Sequence, residues 1–596
     1  MEVLEYTHQC LLRCGFQYVL ARTLPEGSPL RLLSKARGFY VKDYNTPEGV
    51  FKIGLRLTED PFISLPTACV LRMPEQFCGL LMPHINMGWY LCYVQEKEAD
   101  WDVTDLQGIF TNIDHQITVT IDKSLRSITD GEVADTEMEG EFSAYWLPQK
   151  KAYLLSEAPQ EKKLSCYVAI PGKETSLGRS EKYEEWIVCD ESTLTERDAW
   201  LTQRALRLRD MKSIVAGYIR IKPARLAGIM WPPESFKDLL GWLAVVDNVA
   251  RQHVIEHLIK NPVKRHFLLL DVVKQDMVGI YFELNTQAVA LNSYTSPKKR
   301  KANIKARSGF GNLATALGSK TAVNAFCRTD VIKADSHSVL RRNRRGPLAG
   351  DLSSRSIALI GCGTIGGYLA GLLARAGAGC GSKKFDLFDG DTFSPHNYGR
   401  HALTTADFGN NKAVSLAHSL NSSSHLARSI NAMPFEFPLK EETLKRYDIV
   451  IDATGRPPVS KRLAVVVRQM QASSRPVLIH GFNDGNGRAA KVIIDDGTCC
   501  YGCLLANVTL YKDGVDLRFQ GIDHDSERHI SCGSTFTPYD AAVSLMTAAM
   551  MQEAALSLLE PIKKWTYNEH VLDGGRSRRP QYLPRIAKCE TCHGRI

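Results

Sequence analysis

No stretch of about 18 uncharged apolar residues, the least a membrane-crossing helix needs, occurs in the 596-residue chain. The first residues, MEVLEYTHQCLLRCGF, put Glu2, Glu5 and Arg13 where a secretion signal requires a continuous apolar core. These absences predict a soluble, cytoplasmic protein with no membrane partner. Internal repeats and low-complexity tracts are also missing, and 44% hydrophobic against 23% charged residues excludes a disordered, collagen-like or disulfide-stapled chain. A chain of this length suggests roughly three or four domains.

Charge of one sign is scarce outside two places. Lys298 to Arg307 carries six positive charges and Arg341 to Arg345 four, which together exceed the net charge of +9, so the rest of the chain is close to neutral. The reading favoured for the basic run is a solvated loop, ahead of a site for an acidic partner or phosphate. No aromatics interleave it as single-stranded nucleic acid would require.

Cysteine, by contrast, is plentiful. Sixteen in a chain without a secretion signal point to thiol chemistry or metal rather than disulfides. Cys10, Cys14, Cys69, Cys78, Cys166, Cys189, Cys327, Cys362 and Cys380 sit singly among apolar neighbours and read as small buried hydrophobes.

The chain divides into three by pattern: 1–158, 159–335 and 336–596. The first opens with an amphipathic helix to about Val19 and continues as an antiparallel meander, in which Phe51, Ile53, Leu55 and Leu57 alternate with polar or small residues. A Pro-rich polar stretch from Leu147 to Lys163 closes it. The middle part has helical patterns over 195–211 and 236–259 and strand patterns over 267–273 and 278–284, without a chemical motif, and reads as a scaffold. In the last part strands at 357–360, 385–389, 448–452 and 477–481 alternate with helices at 365–376, 412–420 and 460–472. That order is the mark of a parallel sheet covered by helices.

Gly361-Cys362-Gly363-Thr364-Ile365-Gly366 follows the first of those strands and opens the first of those helices, the context in which GxGxxG brings backbone N–H groups to phosphate at a helix N-terminus. A nicotinamide enzyme would want a carboxylate about 20 residues on, and Asp389 and Asp391 stand slightly farther. The segment from Asp389 to Arg400, then Gly409 and Lys412, adds an amide and two cations, which suit a triphosphate rather than hydride transfer. Asp452-Ala453-Thr454-Gly455 ends the next strand, placing a carboxylate where magnesium binds at a sheet's carboxyl edge.

The ordered set GxGxxG, DxDxxxxxNxxR, GxxK and DATG resembles the ThiF/MoeB/HesA family of adenylating enzymes, the superfamily of ubiquitin-activating enzymes, over about Arg341 to Ile596. The resemblance implies ATP binding by Gly361, Gly363, Gly366, Asp389, Asn397, Arg400 and Lys412, a magnesium ligand in Asp452, and activation of the C-terminal carboxylate of a ubiquitin-like protein as an acyl adenylate. It also implies a homodimer through this domain, in which Arg341 or Arg342 reaches the partner's ATP.

Cys500-Tyr501-Gly502-Cys503 and Cys589-Glu590-Thr591-Cys592 supply two CxxC pairs, enough for closed tetrahedral zinc, as in MoeB-like members. Between Cys503 and Cys589, 85 residues intervene, so the metal would clip the C-terminal tail to the domain. Cys499 beside them reads as buried or as an alternative ligand.

Two cysteines are candidate nucleophiles. Cys532, beside Arg528 and His529 and ahead of a long apolar helix over 539–559, has surroundings that favour a thiolate, and it lies where thioester-forming activating enzymes place their cysteine. Cys92, in PHINMGWYLC, resembles the HPNxxxxGxxC segment of ubiquitin-conjugating enzymes, with the order altered around His84 and Asn86.

The whole order resembles the bacterial activating–conjugating fusions of CBASS anti-phage operons. The resemblance implies a Rossmann-like ThiF-type domain with zinc knuckle, behind a ubiquitin-conjugating-like α+β domain and a mixed α/β linker. The implied substrate is the C-terminal glycine of a cGAS-like nucleotidyltransferase or a ubiquitin-like protein, conjugated to an amine on a target protein. A sulfur-carrier adenylyltransferase whose N-terminal domain only binds partners is the alternative. No HxHx7SxxD deconjugase motif is present.

Overall fold

Among the residues described in the computed structural model, an N-terminal helix, α1 (Glu2–Arg13), stops short of the expected Val19. Tyr18 and Val19 belong instead to a strand, β1 (Gln17–Leu20), which pairs with β2 (Gly38–Thr46), because aromatic and β-branched residues fit a pleated surface. The residues described are 2–24, 30, 38–57, 64–85, 89–94, 101–102, 104–129, 142–172, 183–222, 230–285, 315–342, 344, 346, 349–531, 534–562, 564–572 and 574–593, and among them no helix is long and apolar enough to cross a membrane. The basic run 298–307 lies outside them.

Two compact units divide the chain, one of 1–192 with 208–332, the other of 193–207 with 333–596. The first contains two sheets. β1, β2, β3 (Gly49–Arg56), β4 (Thr67–Arg72) and β5 (Tyr90–Leu91) form an antiparallel meander. Phe51, Ile53 and Leu55 on β3 are buried, as the alternation predicts. Their cover is α2 (Leu106–Thr129), whose Phe110, Ile113, Ile117 and Ile121 recur at helical spacing in the same core.

The second sheet runs from β6 (Lys150–Leu154) to β13 (Val323–Lys333) and includes β7 (Leu164–Pro171) and β8 (Glu185–Cys189), while β9 (Leu206–Leu208) straddles the division at 207/208. β6 precedes the boundary expected at 158/159 yet pairs with β8, so the polar stretch expected to close the first domain already contains a strand of the next sheet. The helix expected over 195–211 ends at Gln203 (α3, Leu194–Gln203) and belongs to the second unit. There Trp200 lies edge-on to His425 with ring centroids 4.9 Å apart. Next come β10 (Ile214–Ile221), β11 (Arg265–Val272) and β12 (Val278–Leu284), with β10 also pairing to β7 so that the sheet closes on itself. The helix expected over 236–259 is two, α4 (Phe236–Val246) and α5 (Asn248–Lys260). Asp247 breaks it by accepting the N–H groups of Val249 and Ala250, an N-cap.

In the second unit the expected alternation holds. β14 (Ile357–Ile360), α6 (Thr364–Arg375), β15 (Phe385–Phe388), α7 (Lys412–Ser423), β16 (Ile430–Met433), β17 (Ile449–Asp452), α8 (Pro457–Gln469) and β18 (Val477–Asp484) give a parallel sheet of order β16-β15-β14-β17-β18. Every residue of β14 and β17 is buried, as strands covered on both faces must be. β19 (Ala489–Asp495) then adds antiparallel. Two short hairpins, β20 (Tyr511–Lys512) with β21 (Val515–Asp516) and β22 (His529–Ser531) with β23 (Ser534–Phe536), precede the apolar helix α9 (Ala541–Ser557). β24 (Tyr567–Val571) completes the sheet beside β19.

Of the nine single cysteines, Cys10, Cys69, Cys166, Cys189, Cys362 and Cys380 are buried, whereas Cys14 and Cys327 are half-buried and Cys78 is exposed. Cys78 follows a one-turn helix, Glu75–Phe77, that turns Phe77 inward in its place.

Candidate active site

At the carboxyl edge of the parallel strands lies a cavity of about 640 Å³, lined by Gly361, Gly363, Asp389, Lys412, Thr454 and Asp484 among others. This is where open α/β sheets bind ligands, at the crevice beyond the strand ends. Gly361 has φ of +87°, and a Cβ there would stand 3.2 Å from the backbone of Thr454; a Cβ on Gly366 would overlap the Gly361 carbonyl. Gly363 lines the cavity, and nothing lies within 4 Å of where its Cβ would stand.

The Asp389 carboxylate accepts from the N–H of Cys362 and of Asp391, both at 2.7 Å, tying the strand end of β15 to the glycine loop. Lys412, nearly buried, reaches Asp391 at 3.1 Å. Asn397 and Arg400 are not among the lining residues. Asn397 accepts from the N–H of Ser394 and closes a capping box, while Arg400 donates to the Thr537 carbonyl at 3.0 Å and stacks on Tyr539, and both Thr537 and Tyr539 do line the cavity.

Asp452 stands one residue behind the lining. One oxygen accepts from the Thr454 N–H (3.1 Å) and hydroxyl (2.6 Å), the other from the Ser460 hydroxyl (2.5 Å) and His480 Nδ1 (3.0 Å). Burial pushes its pKa up, but the donors of His480, Ser460 and Thr454 outweigh that and hold the carboxyl below its ordinary range. A buried carboxylate kept ionised at a strand end has the chemistry a hard cation needs.

Sequence reasoning missed Arg456 and Asp484 in the lining and treated Arg528 only as a neighbour of Cys532. Arg456 directly follows the DATG motif, a signal that was there to read. Asp484 was hidden by ending β18, where no motif marks it. Its carboxylate accepts from the fully buried Lys491 Nζ at 2.6 Å and from the Tyr511 hydroxyl at 2.8 Å. Lys491 also meets Asp516, which Arg518 and Arg578 bridge to Glu569. Burial raises the carboxyls of Asp516 and Glu569, but these cations more than offset it and hold both below the ordinary range.

Cys500, Cys503, Cys589 and Cys592 converge: all four sulfurs lie within 4.8 Å of one another, and Cys500–Cys503, Cys500–Cys589, Cys500–Cys592 and Cys503–Cys592 are 3.4 to 3.8 Å apart. Four sulfurs at ~2.3 Å from a tetrahedral zinc would be ~3.8 Å apart, so the set fits the ion. Arg468, which bridges Asp495 at 2.7 and 3.0 Å, also donates to the carbonyl of Cys499. Cys499 itself is buried with its sulfur on the Ile494 carbonyl, outside the group of four.

Cys92 is exposed and follows β5. Its N–H donates to the His84 carbonyl at 2.8 Å, and His84 and Trp89 both adopt φ of +63°. Ser124 of α2 donates to the Pro83 carbonyl at 2.7 Å, fixing that turn to the core. Asn86 and Cys532 lie outside the described residues. Arg341 donates to the buried Asp351 at 2.7 Å, whereas Arg342 is exposed.

The chain matches the model of prokaryotic E2 family B over residues 14–155 and that of the ThiF family over residues 344–583. It is 47% identical over 587 residues to the ATP-dependent ubiquitin transferase-like protein Cap2 of Vibrio cholerae, covering 98% of this chain and 99% of that one. A protein of the same description from Escherichia coli is 43% identical over 592 residues, 98% of each chain, and one from Pseudomonas aeruginosa is 24% identical over 604 residues, 94% of this chain and 97% of that one.

Proposed function

The chain belongs to the family of ATP-dependent ubiquitin transferase-like proteins and is an enzyme that joins an E2-like domain to a ThiF adenylation domain; from that premise we propose that it activates the C-terminal glycine of a protein and passes it through two cysteines to an amine. The observation that carries the reading is the cavity, where a glycine loop, Lys412 and side chains pinned by their neighbours stand at one sheet edge.

In this scheme Gly361 and Gly363 present backbone N–H groups to the phosphates, Gly366 lets the helix approach the loop, and Asp389 takes the ribose. Lys412 and Arg400 offset phosphate charge, with Asn397 holding the short helix that carries Arg400. Magnesium arrives with the nucleotide as substrate, and Asp452 is its proposed ligand, where the ion would lower the charge cost of bringing a carboxylate to the α-phosphorus. The substrate carboxylate oxygen bonds to that phosphorus and pyrophosphate leaves. The Cys532 thiolate then attacks the acyl carbonyl and AMP leaves. Cys92 sulfur displaces Cys532 sulfur from the same carbonyl, and an amine finally displaces Cys92, giving an amide and a free thiol. The zinc held by Cys500, Cys503, Cys589 and Cys592 takes no part in these steps and ties the tail of the domain to its body.

The proposed substrate is a cGAS-like nucleotidyltransferase ending in glycine, in CBASS antiviral defence in the cytoplasm, with a ubiquitin-like protein as the alternative donor. The domains are proposed as 1–158, 159–335 and 336–596, and the working form as a homodimer through the last. Arg342, exposed where Arg341 is tied to Asp351, is the arginine proposed to reach the partner's ATP. Non-reducing gels with ATP and such a nucleotidyltransferase test the relay. Wild type yields a thiol-resistant conjugate, and Cys92→Ala accumulates a thiol-labile adduct. If Cys92→Ala conjugates at the normal rate, the N-terminal domain only docks partners and the relay is wrong.

A further inference from the structure

β17 and the part of β18 paired with it are apolar for three positions, Ile449 to Ile451 and Val477 to Ile479, and both turn polar at the fourth, in register. Asp452 on β17 stands opposite His480 on β18. Both are 1% exposed. An Asp–His pair in such a place loses hydration on both partners, and an apolar pair of similar volume would hold the sheet as well or better. The imidazole is only half used: Nδ1 lies 3.0 Å from Asp452, while Nε2 is buried with no hydrogen-bond partner, the ring standing 5.9 Å from that of Tyr501. An orphaned nitrogen in a sheet core is a cost that folding alone does not require.

The bond on the other side of Asp452 shows what this cost serves. The oxygen not held by His480 accepts both the N–H and the hydroxyl of Thr454. Thr454 lines the cavity and abuts Gly361 so closely that a Cβ there would meet its backbone at 3.2 Å. His480, Asp452, Thr454 and Gly361 thus form one chain of contacts from the sheet core to the glycine loop. Ser460, on α8, shares the His480-side oxygen at 2.5 Å, so Asp452 is held from a strand and a helix at once.

We propose that His480 is a positioning residue for the nucleotide: its Nδ1–H fixes the rotamer of Asp452, and so holds one oxygen of that carboxylate on the cavity side. The role rests on the reading of the cavity as the ATP site. His480 touches neither nucleotide nor substrate, and its effect travels through a single hydrogen bond.

The test uses the full chain and AMPCPP, whose α–β bridge is a methylene that adenylation cannot cleave, measured by calorimetry with magnesium and with EDTA. His480→Leu removes the donor; His480→Asn places an amide N–H where Nδ1–H stood. His480→Leu is expected to weaken magnesium-dependent binding about tenfold, a difference of about 1.4 kcal/mol, with little change in EDTA, and His480→Asn to restore most of the loss. If His480→Leu fails to fold, judged by melting temperature and zinc content, His480→Phe keeps the ring volume and replaces it in the comparison. Binding by His480→Leu equal to wild type overturns the proposal. So does His480→Asn as weak as His480→Leu, because the ring's volume would then be what matters. Wild type that binds no AMPCPP overturns the ATP site instead, and so separates the two failures.

Discussion

The cavity at the edge of the parallel sheet and the Cys92 turn differ in how their side chains are held. Around the cavity Asp389, Asp452 and Asp484 each accept two or more hydrogen bonds from the protein, and the ionic network behind Asp484 is buried. Cys92 is exposed at the end of a two-residue strand, on a turn held through the backbone of Pro83 and His84. Making an acyl phosphate anhydride gathers negative charge in one place, and fixed dipoles lower that barrier without reorganising during the reaction. Taking over an existing thioester needs little beyond an accessible thiolate. In the proposed relay one centre is thus preorganised and the other accessible.

The sharpest way to break this contrast is to remove a fixed charge. Asp452→Ala is expected to abolish substrate-dependent ATP–pyrophosphate exchange, by ~10³-fold or more as for loss of a transition-state charge stabiliser, while the rate at which iodoacetamide alkylates Cys92 stays unchanged. Exchange at the wild-type rate would show that the pinned carboxylate is dispensable. The reciprocal variant, Cys92→Ala, is expected to lose conjugate formation while exchange stays within about twofold of wild type, because adenylation precedes the thiol in the relay.

Next in size is the metal. Cys589→Ser with Cys592→Ser is expected to remove one zinc per chain and to lower the melting temperature of the second unit, since structural zinc contributes up to ~10 kcal/mol or more to local folding. Elemental analysis and calorimetry check it, with zinc content equal to wild type as the contrary result. Cys92 alkylation is again expected to be untouched.

The smallest effect separates the two units by acid. His257 and His266, with ring centroids 5.5 Å apart in the first unit, are pushed down to about 4, chiefly by burial, with mutual repulsion and Lys260 adding to the shift at His257. Their folded forms refuse protons that the unfolded chain accepts near pH 6.5. Stability from this source is therefore complete above pH 6.5 and is lost as pH falls through about 4. The loss is at most roughly 3 kcal/mol per imidazole. In the second unit Asp452, Asp516 and Glu569 are held below the ordinary carboxyl range, so their contribution survives to lower pH than an unpaired carboxylate's would. Burial also lowers His401 and His425 in the second unit, but less strongly, so urea unfolding at about pH 7 and pH 5 is expected to show the first unit weakening more than the second, and His257→Gln with His266→Phe to flatten that difference. Equal weakening of both units would contradict the assignment.

Legibility in the sequence followed the range of the interactions. The glycine loop and the strand–helix alternation of the last third were readable because each depends on a few adjacent residues. The single helix expected over 236–259 failed at Asp247, where a local N-cap outcompetes the helical pattern. The strand pattern at 150–154 was masked by flanking polar residues, and only pairing with β8 gives it a place. α2 went unread although its apolar spacing is regular.

By itself the sequence determined the adenylation motifs, their order, the two CxxC pairs and the resemblance of the Cys92 segment to a conjugating site, because backbone geometry and ligand chemistry at these places are set by neighbouring residues. Only the tertiary structure decided that the CxxC pairs meet across 85 intervening residues, that Asp484 and Lys491 back the cavity, and that Arg341 is occupied by Asp351. It also decided that His480 stands behind Asp452. These contacts link groups far apart along the chain, and their energies exist only once the sheet has brought its strands into register.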